Sequence, residues 1–117
     1  MNLIFTLAAF IIALGVLIVI HEYGHYLAAR LCGVKVLRFS MGFGRPLFAK
    51  RFSPGGTQWV VAALPLGGYV KMLDEREGQV EPHELQLAFN RKSVWRRFFI
   101  VAAGPIANFL LAIALYW

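Results

Sequence analysis

The sequence is poor in cysteine and in acid. Cys32 is the only thiol in 117 residues, which excludes an internal disulfide and leaves a reduced, structural thiol as the expectation. Of the six acidic residues, five fall between positions 73 and 90, so Glu22 is the only negative side chain elsewhere. Charged residues of both signs reach 15% against 59% hydrophobic, a balance that argues against a soluble domain. Internal repeats and low-complexity tracts are missing too, so the chain is not read as a repeat array.

What is abundant is uninterrupted apolar sequence. Between positions 3 and 20 only Thr6 and Gly15 break the run, and between 98 and 117 only Gly104, Pro105 and Asn108 do. At about 1.5 Å per helical residue, about 20 residues cover the roughly 30 Å of hydrocarbon, so each run is long enough to span a membrane. A signal peptide would need a basic leading region and a small-residue cleavage site, whereas this chain opens Met-Asn-Leu and passes directly into His-Glu. Residues 1–32 are therefore read as a retained first transmembrane helix, with Gly33 as a left-handed cap. All 12 Lys and Arg lie between the two runs or at their inner edges, which puts the connecting segment in the cytoplasm and both termini outside. The net charge of +6 would also suit nucleic acid, but no nucleic-acid motif accompanies it, and topology and lipid headgroups explain it.

Residues 33–72 are rich in β-branched and aromatic side chains, punctuated by Gly42, Gly44, Pro46, Pro54-Gly55-Gly56, Pro65 and Gly67-Gly68. This pattern predicts short strands joined by turns as antiparallel hairpins. Phe39, Met41, Phe43, Leu47, Phe48, Trp59, Val60 and Val61 make it too apolar for a solvated loop, and place it at the membrane interface beside the helices. Strand backbone at that depth must be satisfied by protein or by a water-filled cavity, so a sheet edge lining a polar cavity fits. Residues 73–97 read as a cytoplasmic linker with a short helix after Pro82, then an amphipathic lead-in anchored by Trp95. Residues 98–117 form the second transmembrane helix.

The first apolar run ends in VIHEYGHYLAAR, residues 19–30. If Arg30 snorkels to the cytoplasmic headgroups, His25 lies roughly 7 Å and His21 roughly 13 Å deeper along the axis. Ionisable residues at that depth are costly and mark function more often than structure. Positions i and i+4 differ by about 40° in azimuth, so His21 and His25 share a face and can share a metal ion, with Glu22 close by. Imidazole suits Zn²⁺, and bound zinc can bring the pKa of water to about 7, where a nearby carboxylate takes its proton and passes it to a leaving amine. The competing explanation is an interfacial polar turn or a Glu-His pair in a helix bundle. Gly24, between the histidines, leaves room for substrate or a neighbouring helix.

Several stretches, spread over essentially the whole chain, resemble the site-2 protease family of intramembrane zinc metalloproteases: HEYGHYLAAR, RFSMGFGRPLF, LPLGGYVKMLDE and AFNRKSVWRRFFIVAAGPIANFLLA. The resemblance implies a multi-pass protein of the bacterial inner membrane, mainly α, with two transmembrane helices joined by a cytoplasmic segment that contains a membrane-reentrant β-hairpin. His21 and His25 would bind zinc and Glu22 would act as general base and acid. The substrate would be the transmembrane segment of another membrane protein, in the sigma E branch an anti-sigma factor already trimmed on its outer side. The strand of residues 38–48, with Gly42, Phe43 and Gly44, would pair with unwound substrate by strand addition; its alternative role is a hairpin that covers the helices. Asn108 would pack helices, or orient substrate near the active site.

One departure from the family is plain. Its third zinc ligand, an aspartate in Leu-Asp-Gly on a later helix, and its PDZ domains are not in these 117 residues. Asp74 is followed by Glu75 in the linker and is not promoted to ligand, and His83 is read as solvated. The chain resembles the N-terminal part of a longer enzyme, whose missing C-terminal part would supply the third ligand. The competing function is a non-catalytic membrane helix hairpin that binds metal or a partner. A metal-ion transporter is weaker still, since two spans leave few polar residues to line a path.

Overall fold

Asn2 opens the first helix, its side-chain oxygen accepting from the Phe5 N–H at 2.7 Å, and α1 then runs through Leu3–Leu31. The computed structural model describes residues 2–51 and 56–117, with Pro65 and Leu66 described for backbone alone. At 29 residues α1 is about 44 Å long, more than the hydrocarbon requires. It ends as the sequence predicts: Gly33 takes φ +78°, its N–H donates to the Arg30 carbonyl at 3.3 Å, and the Val34 N–H donates to the Ala29 carbonyl at 2.8 Å. These two bonds make a Schellman cap, which a residue with a Cβ would strain.

The second helix, α2 (Val94–Tyr116), starts at Ser93, whose hydroxyl accepts from the Arg96 N–H at 3.3 Å. The lead-in with Trp95, Arg96 and Arg97 is therefore continuous with the span. Pro105 lies inside α2 without ending it. Both helices are long and apolar enough to cross a membrane, and the apolar windows of α1 and α2 are 0% and 11% buried, unlike core helices of a soluble protein. They pack through small residues. A Cβ on Gly24 would sit 2.8 Å from the Ala107 Cβ, so glycine lets the backbones approach at the level of the two histidines. Ala28, Ala29, Val34, Val36 and Ile100 form the buried core beneath.

Between the helices, β1 (Val36–Arg51) pairs antiparallel with β2 (Gln58–Met72). The expected hairpin is present, but as two long bent strands rather than several short ones. Gly42 and Gly44, at φ +100° and +83°, bend β1 instead of ending it. The expected turn at Pro54-Gly55-Gly56 falls partly outside the described residues. Because both strands double back, residues 38–41 have partners on two sides: 68–71 on one, and 58–61 on the other, where the numbers rise together. Residues 58–62 pair in turn with 46–51, so the outer edges of the sheet are 46–51 and 68–72. Pro46, which lacks an N–H, sits on an outer edge.

An aromatic stack fastens the sheet to α1. Phe39, 1% exposed, lies 4.8 Å from Trp59, and Tyr26 of α1 meets both rings at 5.9 and 5.1 Å. The apolar set read from the sequence thus divides: Phe39 and Val60 are buried here, whereas Leu47 and Phe48 stay exposed on the outer edge.

Past β2 the chain docks back on the start of the sheet. The Lys35 N–H donates to the Leu87 carbonyl and the Phe89 N–H to the Leu73 carbonyl, at 2.9 and 2.7 Å. The short helix expected after Pro82 is a 3-10 turn, Pro82–Leu87, followed by a second, Phe89–Arg91. Ion pairs Lys35–Glu84, Arg91–Glu75 and Arg76–Asp74 hold the segment. Hydrogen bonds from Lys35 and Arg91 keep the carboxyls of Glu84 and Glu75 below their ordinary 4.5, and one from Arg76 keeps Asp74 below 3.8. A carboxyl lowered in the folded chain contributes stability above its unfolded pKa and loses it as pH falls through the folded value. Amide exchange over residues 73–91, corrected for intrinsic rates, should therefore be flat between pH 7 and 5 and rise below the ordinary values of 4.5 and 3.8. The effect should be small, because pairs this exposed are screened by water.

Candidate active site

Two adjacent turns of α1 present His21 and His25 to α2. Their Nε2 atoms are 3.1 Å apart, with the rings edge to face at an interplanar angle of 81°. α2 holds both rings from behind. The Ile100 carbonyl lies 2.7 Å from His25 Nδ1 and can only accept, so His25 donates from Nδ1 and keeps a lone pair on Nε2. Two turns further along, Asn108 places its Nδ2 at 3.4 Å from His21 Nδ1. Gly104 lies between these contacts. A Cβ there would fall 2.7 Å from His25 Cε1 and 2.8 Å from His21 Nε2, so the rings occupy the space that any other residue would fill.

Glu22 and His25 line a cavity of about 580 Å³. Its other walls are the free edge of β2 at Tyr69, Val70, Lys71 and Met72, the turn carrying Asp74, Arg76 and Glu77, and Phe89, Ile100 and Val101. This is the sheet edge beside a polar cavity that the sequence anticipates, although a different part of the sheet provides it. Residues 38–41 are paired on both sides and have no free backbone for an added strand. Gly42, Phe43 and Gly44 sit at the bend of β1 and do not line the cavity. They reach its rim through Phe43, which stacks on Tyr69 at 6.3 Å.

Can these residues hold zinc? Two nitrogens bound at about 2.0–2.1 Å in tetrahedral geometry are roughly 3.3 Å apart, within a few tenths of the 3.1 Å between the Nε2 atoms. His25 already donates its other ring N–H to a carbonyl, the outer contact that metal-ligating histidines make. The pair therefore fits as two ligands. Among the described residues no group of three His, Cys, Asp or Glu side chains gathers to hold a metal. Asp74 lines the cavity but is engaged by Arg76 at 2.7 Å, and His83 is exposed on its 3-10 turn. The Ile100 carbonyl, Gly104 and the β2 edge were not singled out from the sequence. Gly104 had a signal, since it stands one turn before Asn108, but only the crossing of the helices reveals what it faces.

Comparison with known proteins agrees with this geometry. The model of peptidase family M50 matches residues 9–117. The chain is 56% identical over its whole length to Regulator of sigma-E protease RseP of Escherichia coli strain K12 and to Protease RseP of Yersinia pestis, covering 26% of each. It is 62% identical over 107 residues, 92% of this chain and 24% of the relative, to a Xylella fastidiosa protein provisionally described as a zinc metalloprotease. The chain thus spans about a quarter of the length of these relatives. With a family match over nearly all of its residues, the chain belongs to peptidase family M50.

Proposed function

We propose that this chain carries two zinc ligands and the general base of an intramembrane endopeptidase. The observation that carries the reading is the approach of the His21 and His25 Nε2 atoms to 3.1 Å, with Glu22 and His25 on the wall of one cavity. When bound, zinc supplies a Lewis acid that polarises the scissile carbonyl and acidifies water. Glu22 takes the proton from the attacking water and delivers it to the leaving amine. Ile100 and Asn108 orient the imidazoles. Among the described residues the sheet has two outer edges, 46–51 and 68–72, and the one at 69–72 lies on the cavity wall with Glu22 and His25, so strand addition by an unwound substrate is assigned to that edge. The third ligand comes from a segment outside these 117 residues.

The wider setting is inferred in the same way. Residues 1–32 and 98–117 span the bacterial inner membrane, with 33–72 reentrant and 73–97 cytoplasmic, as the placement of all 12 Lys and Arg supports. Two relatives are named regulator of sigma-E protease RseP, and the site-2 protease resemblance adds a transmembrane, anti-sigma-factor-like substrate. Full-length protein co-reconstituted in liposomes with such a substrate should cleave it, lose cleavage on treatment with a strong zinc chelator, and regain it when zinc is restored. Zinc binding with no cleavage of any transmembrane substrate would favour the non-catalytic metal-binding hairpin.

A further inference from the structure

Asn108 has one buried atom without a use. As the side chain stands, its Nδ2 faces His21 Nδ1 and its Oδ1 is buried without a hydrogen-bond partner. The four side-chain and backbone groups then form one continuous chain. Asn108 Nδ2–H donates to His21 Nδ1, His21 Nε2–H donates to His25 Nε2, and His25 Nδ1–H donates to the Ile100 carbonyl. In that arrangement the His21 proton sits on Nε2, the atom a metal needs. A cation shared by both Nε2 atoms requires the His21 proton on Nδ1, and whatever faces Nδ1 must then accept.

We propose that Asn108 is a positioning residue that fixes the tautomer of His21, its amide turning by 180° so that Oδ1 accepts the His21 Nδ1–H when Nε2 is given to zinc. The proposal rests on the zinc reading above and assigns Asn108 a role distinct from binding substrate. The two histidines are then held by different means. His25 faces a backbone carbonyl, which only accepts, so the neutral ring carries its proton on Nδ1 and its lone pair on Nε2. His21 faces a side-chain amide, which offers a donor or an acceptor through the same volume. His21 is part-buried with its Nδ1 turned to Asn108, so the residue at position 108 bears directly on which nitrogen of His21 carries the proton.

The test is zinc affinity, measured on full-length protein in detergent by competition with a chelating dye, beside ¹⁵N spectra of labelled histidine. Outer-shell partners of metal-binding histidines typically matter by about 10–100-fold in affinity. Asn108→Leu should lower zinc affinity by that order. Asn108→Asp, which keeps an acceptor oxygen in place, should stay within a few-fold of wild type, and zinc-loaded wild type should show His21 protonated at Nδ1. Equal losses in both variants would reduce Asn108 to packing and overturn the assignment, as would full affinity in Asn108→Leu or a His21 proton on Nε2 in the loaded protein. A wild-type affinity that His25→Ala does not change would overturn the zinc reading itself, and this assignment with it.

Discussion

Glu22→Gln in the full-length protein is expected to remove cleavage of a transmembrane substrate while leaving bound zinc unchanged. Glutamine has the volume of glutamate and a carbonyl oxygen in the same place, so the cavity shared with His25 keeps its shape. What is lost is the capacity to take a proton from water and give it to an amine. Positioned general acid and base catalysis contributes typically about 10²–10⁴-fold, or about 3–5.5 kcal/mol of barrier. Here one carboxylate serves both transfers, which places the expected loss at the upper end. The measurement pairs a cleavage rate in liposomes with zinc content of the same preparation. Loss of cleavage with zinc retained assigns Glu22 to the chemistry. Retained cleavage would remove it, and loss of zinc would mean that Glu22 supports the histidines instead.

The parts of this site that lie within one helix were legible in the sequence, because helical spacing alone fixes them. His21 and His25 share a face by arithmetic, with Glu22 about 60° round the helix from His25, and the Gly33 cap follows from a glycine in the right place. The two helices long and apolar enough to cross a membrane were legible for the same reason, since length and hydropathy are local. The sheet was readable in kind but not in register. Glycines at 42 and 44 are compatible with a turn or with a bend, and the choice depends on the partner strand: a Cβ at Gly42 would sit 2.8 Å from the Leu64 carbonyl oxygen, a contact made across the sheet. That choice pairs residues 38–41 on both sides and leaves 46–51 and 68–72 as the outer edges among the described residues. The Ile100 carbonyl is invisible to any reading of side chains, because every residue has one. Only the crossing of α1 and α2, allowed by Gly24, brings this one to His25.

Gly104→Ala is expected to cost the protein its zinc. The added methyl would lie 2.7 Å from His25 Cε1 and 2.8 Å from His21 Nε2, closer than real Cβ atoms approach their neighbours. Relief is available in two ways, and each breaks the site. If α2 withdraws, the Ile100 carbonyl and Asn108 leave the two Nδ1 atoms that they hold at 2.7 and 3.4 Å. If the imidazoles turn aside, their Nε2 atoms no longer stand 3.1 Å apart. A methyl forced into a packed interface typically costs about 1–3 kcal/mol in stability, so the protein should remain folded while its zinc affinity drops by at least the order expected for Asn108→Leu. Gly15→Ala is the matched control: the same helix-favouring change on α1, with nothing within 4 Å of the new Cβ, should leave zinc binding and cleavage at wild-type levels. Zinc affinity and thermal midpoint measured on both variants separate the outcomes. A Gly104→Ala protein that binds zinc like wild type would show that the imidazoles need not rest against α2, and the roles given to Ile100 and Asn108 would fall with that contact.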